Sequence, residues 1–157
     1  MASQPDGVVY DKAKYHYGGD YPDDLPDEQA FVHTGLYLGW IIDRDLYSEE
    51  FREGTADLIA AFKAREVTGP EVYESWDGCL IDTMLSAEGN AFSQDYFDFE
   101  RGKYLADYEE LLLGNLPTLY HVANTWENYD RLRGRLDQRY AEWLRERSAK
   151  PWQFWRR

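Results

Sequence analysis

The sequence is poor in cysteine, and that scarcity restricts the chemistry available to it. Cys79 is the one cysteine in 157 residues, so the chain can form no internal disulfide and contains no C-x-x-C zinc motif. A lone thiol is typical of proteins in a reducing compartment, which predicts a cytoplasmic location. Cys79 stands beside Leu80 and Ile81, and in such surroundings a buried small hydrophobe is expected more often than a catalytic thiol.

Long apolar runs are also missing. The longest, residues 35–42, is far shorter than the roughly 20 residues that a membrane-spanning helix requires. The N-terminal residues lack the basic start and apolar stretch of a signal peptide. The sequence therefore predicts a soluble protein with no membrane association. We expect a flexible leader at 1–9, one domain at 10–148 and a basic, aromatic tail at 149–157.

The sequence contains no catalytic motif. It has no H-E-x-x-H, phosphate-binding loop, G-x-G-x-x-G or G-x-S-x-G, and its serines have no evident base nearby. His16, His33 and His121 do not form a zinc-binding pair, so we assign no catalytic residue, metal or cofactor. His33 lies in an apolar segment, where a hydrogen-bonded core histidine is more common than a ligand. The enzyme alternative is a carboxylate and histidine pocket formed by His33, Asp77 and Glu88.

Basic residues are in the minority, with 17 Lys and Arg against 30 Asp and Glu, for a net charge of −13. Such a chain repels nucleic acid and membrane phosphate, and it attracts a basic protein partner. Plain solubility is an equally open explanation of the charge. The distribution is uneven, because residues 116–157 hold nine basic and five acidic residues. We expect this basic stretch to pair with the acidic part of its own fold.

Aromatic and apolar residues are abundant, at 17% and 43%, which is enough for a substantial core. Their spacing is mainly helical, and it predicts an all-α, bundle-like single domain of about five helices with one long C-terminal helix. The segment 10–17 stays ambiguous between helix and strand, 18–26 is expected to be an ordered loop, and Asp77-Gly78 a tight turn. The predicted helices are 29–43, 49–65 after a Ser48 cap, 86–96 after a Ser86 cap, 103–113, and 117–147.

Two of these helices carry further expectations. Gly35 and Gly39 lie one turn apart in the first helix, which indicates close approach of a neighbouring element. The last helix has an apolar stripe from Leu119 to Trp143 with steps of three and four residues. That stripe could be the seam of a homodimer, but packing against the other helices of the same chain is the favoured interpretation.

Several short segments of the chain are similar to a family of uncharacterised bacterial proteins. The resemblance covers residues 10–113 and implies no catalytic residue, because no activity is established for that family. The segments that carry it are Lys14-Tyr15-His16-Tyr17, Asp20-Tyr21-Pro22, Leu25-Pro26, Gln29-Ala30-Phe31-Val32-His33-Thr34-Gly35-Leu36-Tyr37-Leu38-Gly39-Trp40, Asp77-Gly78-Cys79-Leu80, Met84-Leu85, Glu88-Gly89-Asn90, and Gly102-Lys103-Tyr104-Leu105 with Asp107-Tyr108.

In size and charge this family resembles small acidic proteins encoded beside polymorphic toxins. The resemblance implies an immunity-type protein that occludes a cognate toxin. Exposed tyrosines would anchor the partner, and carboxylates would steer its basic surface. The residues predicted to bind the partner are Tyr17, Asp20, Tyr21, Asp23, Asp24 and Asp95. A regulatory homodimer and the small enzyme remain the alternatives.

Overall fold

Helices dominate the structure, a computed structural model that describes residues 7–155, with side chains through residue 148. Within this part of the chain there are seven α-helices, one pair of strands and three short 3₁₀ helices. The elements are β1 (Val9–Lys12), α1 (Ala13–Tyr17), a 3₁₀ helix (Asp27–Phe31), α2 (Val32–Asp43), α3 (Glu49–Lys63), α4 (Gly69–Ser75), β2 (Cys79–Ile81), a 3₁₀ helix (Asp82–Met84), α5 (Ala87–Tyr96), α6 (Tyr104–Leu112), a 3₁₀ helix (Leu119–His121) and α7 (Trp126–Trp155). The predicted all-α class and long C-terminal helix are confirmed.

Helix α2 is the centre of the fold, since all eleven residues from Val32 to Ile42 are buried. Its two glycines allow neighbours to come unusually close. A Cβ atom on Gly35 would collide with the backbone of Pro70 at the start of α4, and one on Gly39 would lie 2.9 Å from the Phe62 ring. The close approach predicted from the glycine pair is therefore confirmed.

The sequence left segment 10–17 ambiguous between helix and strand, and the structure contains both. Strand β1 pairs antiparallel with β2, with Lys12 opposite Cys79 and an irregularity between Val9 and Asp11, and α1 follows at once. The turn before β2 places Asp77 and Gly78 at φ of 58° and 63°, the left-handed region expected for a tight turn. Residues 1–6 of the predicted leader lie outside the described residues, whereas Val9 already belongs to β1.

Side-chain caps define the starts of three helices. Ser48 accepts from the Phe51 amide and Ser86 from the Gly89 amide, both at 3.0 Å, as predicted. Thr68 forms a reciprocal capping box with Glu71, which sets the start of α4. Caps are readable from sequence because they depend on residues three positions apart.

The start of the last helix was predicted wrongly. Helix α7 begins at Trp126, and Pro117 instead precedes a 3₁₀ helix followed by extended backbone at Val122. The Gln29 amide donates to the carbonyls of Tyr120 and Val122 at 2.7 and 3.0 Å, which occupies acceptors that a continuous helix would need. Thr125 then caps α7 through the Asn128 amide at 3.1 Å.

The stripe on α7 packs into the core of its own chain. Tyr129, Leu132, Leu136 and Tyr140 are all at most 5% exposed. This agrees with the favoured interpretation over a homodimer seam. The side chains of the predicted basic-aromatic tail lie outside the described residues. No helix in the described part of the chain combines the length and apolar character that membrane crossing requires.

A buried carboxylate joins α6 to α7. Asp107 is 2% exposed and accepts from Arg135 at 2.7 Å, from Arg139 at 2.9 Å and from the Tyr96 hydroxyl at 2.7 Å. Burial raises the pKa of this carboxyl, but its hydrogen bonds with Arg139, Tyr96 and Arg135 outweigh burial and hold the pKa below its usual range. The expected pairing of the basic C-terminal stretch with acidic residues is confirmed here.

We expect Gly35→Ala to destabilise the protein by about 3 kcal/mol or more, because the added methyl meets Pro70 backbone that cannot rotate away. Gly134→Ala is the control, since Gly134 is exposed in α7 and its Cβ would meet nothing within 4 Å. That substitution should stabilise by up to about 1 kcal/mol. Urea unfolding measures both, and equal effects would contradict the close packing of α2 against α4.

We expect Asp107→Asn to lower the unfolding free energy at neutral pH by roughly 3 kcal/mol, since it removes the buried counter-charge of Arg135 and Arg139 and leaves them only the more exposed Glu110 and Glu142. The folded pKa of Asp107 is lowered, so its contribution is complete above the unfolded value of about 4 and disappears as pH falls through the folded pKa. Urea unfolding across acidic pH should show a flatter pH dependence for Asp107→Asn. Glu109→Gln, an exposed change on the same helix, should keep the slope of the unmodified protein.

Candidate functional site: an acidic tyrosine loop above a buried histidine cluster

Asp11 is a carboxylate turned into the core. Side chains alternate along a strand, and in β1 this places Asp11, which is 3% exposed, on the inner side. Its oxygens accept from His16 Nε2 at 2.9 Å and from the Thr34 hydroxyl at 2.5 Å. Strand β1, helix α1 and helix α2 therefore meet at this one side chain.

His33 approaches the same carboxylate from α2. Its side chain is 1% exposed, and Nε2 lies 3.5 Å from an Asp11 oxygen, at the long limit of a hydrogen bond. Among the described residues, Nδ1 has no hydrogen-bond partner. The ring meets the His16 ring edge to face, with centroids 4.6 Å apart. This fully buried imidazole thus makes no strong polar contact through its side chain.

His16 connects the interior to the surface. Its side chain is 14% exposed, and the nitrogen that does not face Asp11, Nδ1, lies 2.8 Å from the Tyr120 hydroxyl. With Asp11 ionised, Nε2–H donates to the carboxylate and Nδ1 accepts from the tyrosine. The Gln29 side-chain amide donates a hydrogen bond to the Tyr120 backbone carbonyl and so positions this residue.

Electrostatics favour a charged Asp11 beside a neutral His33. Burial raises the pKa of Asp11, but hydrogen bonds and charge from His16 and His33 outweigh it and bring the pKa well below its usual range. Burial lowers the pKa of His33 more than Asp11 raises it. Together Asp11, His16 and His33, here called the histidine cluster, offer three ligand atoms that all lie within 4.8 Å of one another.

Tyrosines cover the cluster on the outside. Tyr15 and Tyr17 are 56% and 40% exposed, which is high for large side chains of this protein. Tyr17 meets Tyr21 edge to face at 5.4 Å, and Tyr21 meets Tyr120 in the same way at 5.1 Å. A row of aromatic rings therefore leads from the exposed end of α1 to the residue that touches His16.

The loop after α1 is held in shape by these tyrosines. The Tyr17 hydroxyl donates to the Asp27 carbonyl at 2.9 Å, and the Tyr21 hydroxyl donates to the Pro26 carbonyl. Burial raises the pKa of both phenols; nearby carboxylates add to the effect for Tyr17, and the Tyr17 phenol and then Asp27 add to it for Tyr21. Six residues form what we call the loop face: Tyr15, Tyr17, Asp20, Tyr21, Asp23 and Asp24. The three carboxylates among them are all exposed.

Five of the six predicted partner-binding residues lie together on this loop face. The sixth, Asp95, lies on α5, where it accepts from the Trp143 indole at 2.8 Å. The predicted pocket is a different case, because no hydrogen bond or ion pair of the described residues joins any two of its members. His33 faces Asp11, Asp77 is exposed in its turn, and Glu88 accepts from the Tyr140 hydroxyl.

Sequence reasoning missed Asp11 and Tyr120 as members of the site, and it considered His16 only for metal-motif spacing. Tyr120 is more than 100 residues from His16, and the predicted long helix hid the 3₁₀ helix that presents it. One signal was present in the sequence. If residues 10–12 form a strand, the Asp11 side chain points to the face opposite to those of Tyr10 and Lys12.

Residues 9–122 match one family model, described as a domain of unknown function (DUF7832). The match covers more than half of the chain, so the chain belongs to this family. It contains the whole histidine cluster, Tyr120 and the loop face. No curated protein and no solved structure matches the chain. The resemblance to an uncharacterised family is thereby confirmed.

We expect Thr34→Val to cost about 2 kcal/mol of unfolding free energy, because it removes a hydrogen bond to a buried, charged carboxylate. Thr55→Val is the matched control. Thr55 is equally buried, but it accepts from the neutral Trp76 indole at 3.1 Å, so its loss should cost about 1 kcal/mol. Urea unfolding at neutral pH measures the loss of unfolding free energy in both variants. A loss in Thr34→Val no larger than that in Thr55→Val would contradict an ionised Asp11.

Proposed function

We propose that this protein is a cytoplasmic protein-binding module, an immunity-type protein that neutralises a bacterial toxin by occluding it. The observation that carries the proposal is the loop face, where exposed tyrosines and exposed carboxylates share one ordered segment. Family membership supplies no activity, so the proposal depends on the chemistry of this surface.

Tyrosines suit the role of anchors in a protein interface. Each brings a large apolar area with a polar end, and tyrosine is enriched among the residues that dominate binding energy. Here Tyr17 and Tyr21 already pack against each other, and their hydroxyls donate to carbonyls of the loop backbone. Little conformational freedom remains to be lost on binding, which favours affinity.

The carboxylates select a basic partner. Asp20 and Asp23 form no ion pair within the described residues, and Asp24 faces only His121 at 3.8 Å. By contrast, arginines of α7 pair with Asp107, Asp43 and Asp137 of their own chain. The loop face therefore keeps its negative charge for an incoming surface, where it speeds encounter by long-range attraction. Nucleic acid and anionic membranes would be repelled.

The direct test is co-expression with the product of the adjacent gene. We expect protection from toxicity and recovery of the two proteins as one complex. Absence of both would contradict the proposal.

Variants then locate the surface. The triple change Asp20→Asn, Asp23→Asn and Asp24→Asn should slow association with the captured protein by about tenfold or more at low salt, with less effect on dissociation. The control is an equal change of charge on α3, Glu50→Gln, Glu53→Gln and Asp57→Asn, all exposed. Surface plasmon resonance measures both rates, and equal slowing by the two triples would place the interface elsewhere.

A further inference from the structure

We infer that Asp11, His16 and His33 bind one divalent transition-metal ion of the zinc class. Two imidazoles and one carboxylate form a donor set that zinc and its neighbours accept. The ligands come from β1, α1 and α2, so they share no sequence motif, and the absence of an H-E-x-x-H spacing does not bear on them. This inference is independent of the proposed function.

The distances fit an ion. Donor atoms that each lie about 2.0–2.1 Å from a tetrahedral ion are about 3.3 Å from one another. In the structure, Nε2 of His16 and Nε2 of His33 lie 2.9 and 3.5 Å from the Asp11 oxygens, which brackets that separation. All three donor atoms lie within 4.8 Å of one another, so the two imidazoles would have to close in around the ion as it binds.

Neither ring nitrogen of His33 has a strong polar partner among the described residues. His33 is fully buried, its Nδ1 has no partner among the described residues, and its Nε2 points at a carboxylate that is too distant for a strong bond. A buried ring without a strong partner carries a desolvation cost that nothing here offsets. A metal ion on Nε2 would provide a strong interaction at that nitrogen, while Nδ1 would carry the proton and stay without a partner among the described residues.

The surroundings provide supporting contacts for two of the three ligands, His16 and Asp11. When Nε2 of His16 binds an ion, its proton moves to Nδ1, and Nδ1–H can donate to the Tyr120 oxygen that already lies 2.8 Å away. The Thr34 hydroxyl donates to Asp11 and orients the carboxylate. His16 is the most exposed of the three ligands, so the ion would enter on the side of Tyr120.

The test uses the full chain, freed of metal by a chelator and dialysed. Titration calorimetry with Zn²⁺ should give one site per chain, and Co²⁺ should give the visible absorption of a low-symmetry nitrogen and oxygen site. Asp11→Asn and His16→Gln should each weaken binding by about a hundredfold or more. His121→Gln is the matched control, a histidine that faces Asp24 rather than the cluster, and it should bind as the unmodified protein does.

Several outcomes would overturn the inference: no stoichiometric binding of Zn²⁺ or Co²⁺ by the unmodified chain, unchanged affinity in Asp11→Asn or His16→Gln, or loss of binding in the Asp20, Asp23 and Asp24 triple variant. Circular dichroism of the metal-free variants shows whether they fold, and His16→Gln, at the partly exposed ligand, keeps the test available if Asp11→Asn does not. Capture of the adjacent gene's product by the metal-free protein tests the proposed function separately.

Discussion

The burial of α2 on all sides is the constraint on which the rest of this structure depends. In a helix with no solvent-facing side, most polar side chains need hydrogen-bond partners from other elements. Three hydrogen bonds meet this need: the Thr34 hydroxyl donates to Asp11 of β1, the Tyr37 hydroxyl bonds to that of Ser93 of α5, and the Trp40 indole donates to Asp137 of α7. The positions of these distant elements are therefore fixed by hydrogen bonds as well as by apolar packing. Asp11 is drawn into the core in the same way.

The acidic residues of this protein fall into two groups, those that form ion pairs within the fold and those that stay exposed on the loop face. Around α7, Asp107 of α6 pairs with Arg135 and Arg139, and Arg65, just after α3, pairs with Asp130 of the long helix. On the loop face, Asp20 and Asp23 form no ion pair among the described residues, and all three carboxylates stay exposed. An excess of negative charge spread evenly over a surface serves solubility. An excess concentrated beside exposed tyrosines is suited to recognition.

Local signals in the sequence predicted much of the fold. Ser48 and Ser86 mark helix starts because a cap involves residues only three positions apart. Asp77-Gly78 marks a turn because Asp and Gly tolerate the left-handed backbone conformation that this turn adopts. The start of α7 was mispredicted because a hydrogen bond from Gln29, more than 90 residues away, decides it. The loop face could be predicted because its residues are consecutive. The histidine cluster could not, because Asp11, His16, His33 and Tyr120 meet only through the tertiary fold.

Helix α1 has only five residues, and it turns Tyr15 and Tyr17 outward while it turns His16 inward. One short rigid unit thus belongs at once to the surface and to the interior. Whatever fixes the orientation of the His16 ring also fixes the angle at which the two phenols stand. Any ligand that favours one orientation of α1 must, by reciprocity, change the affinity of the other surface by the same factor.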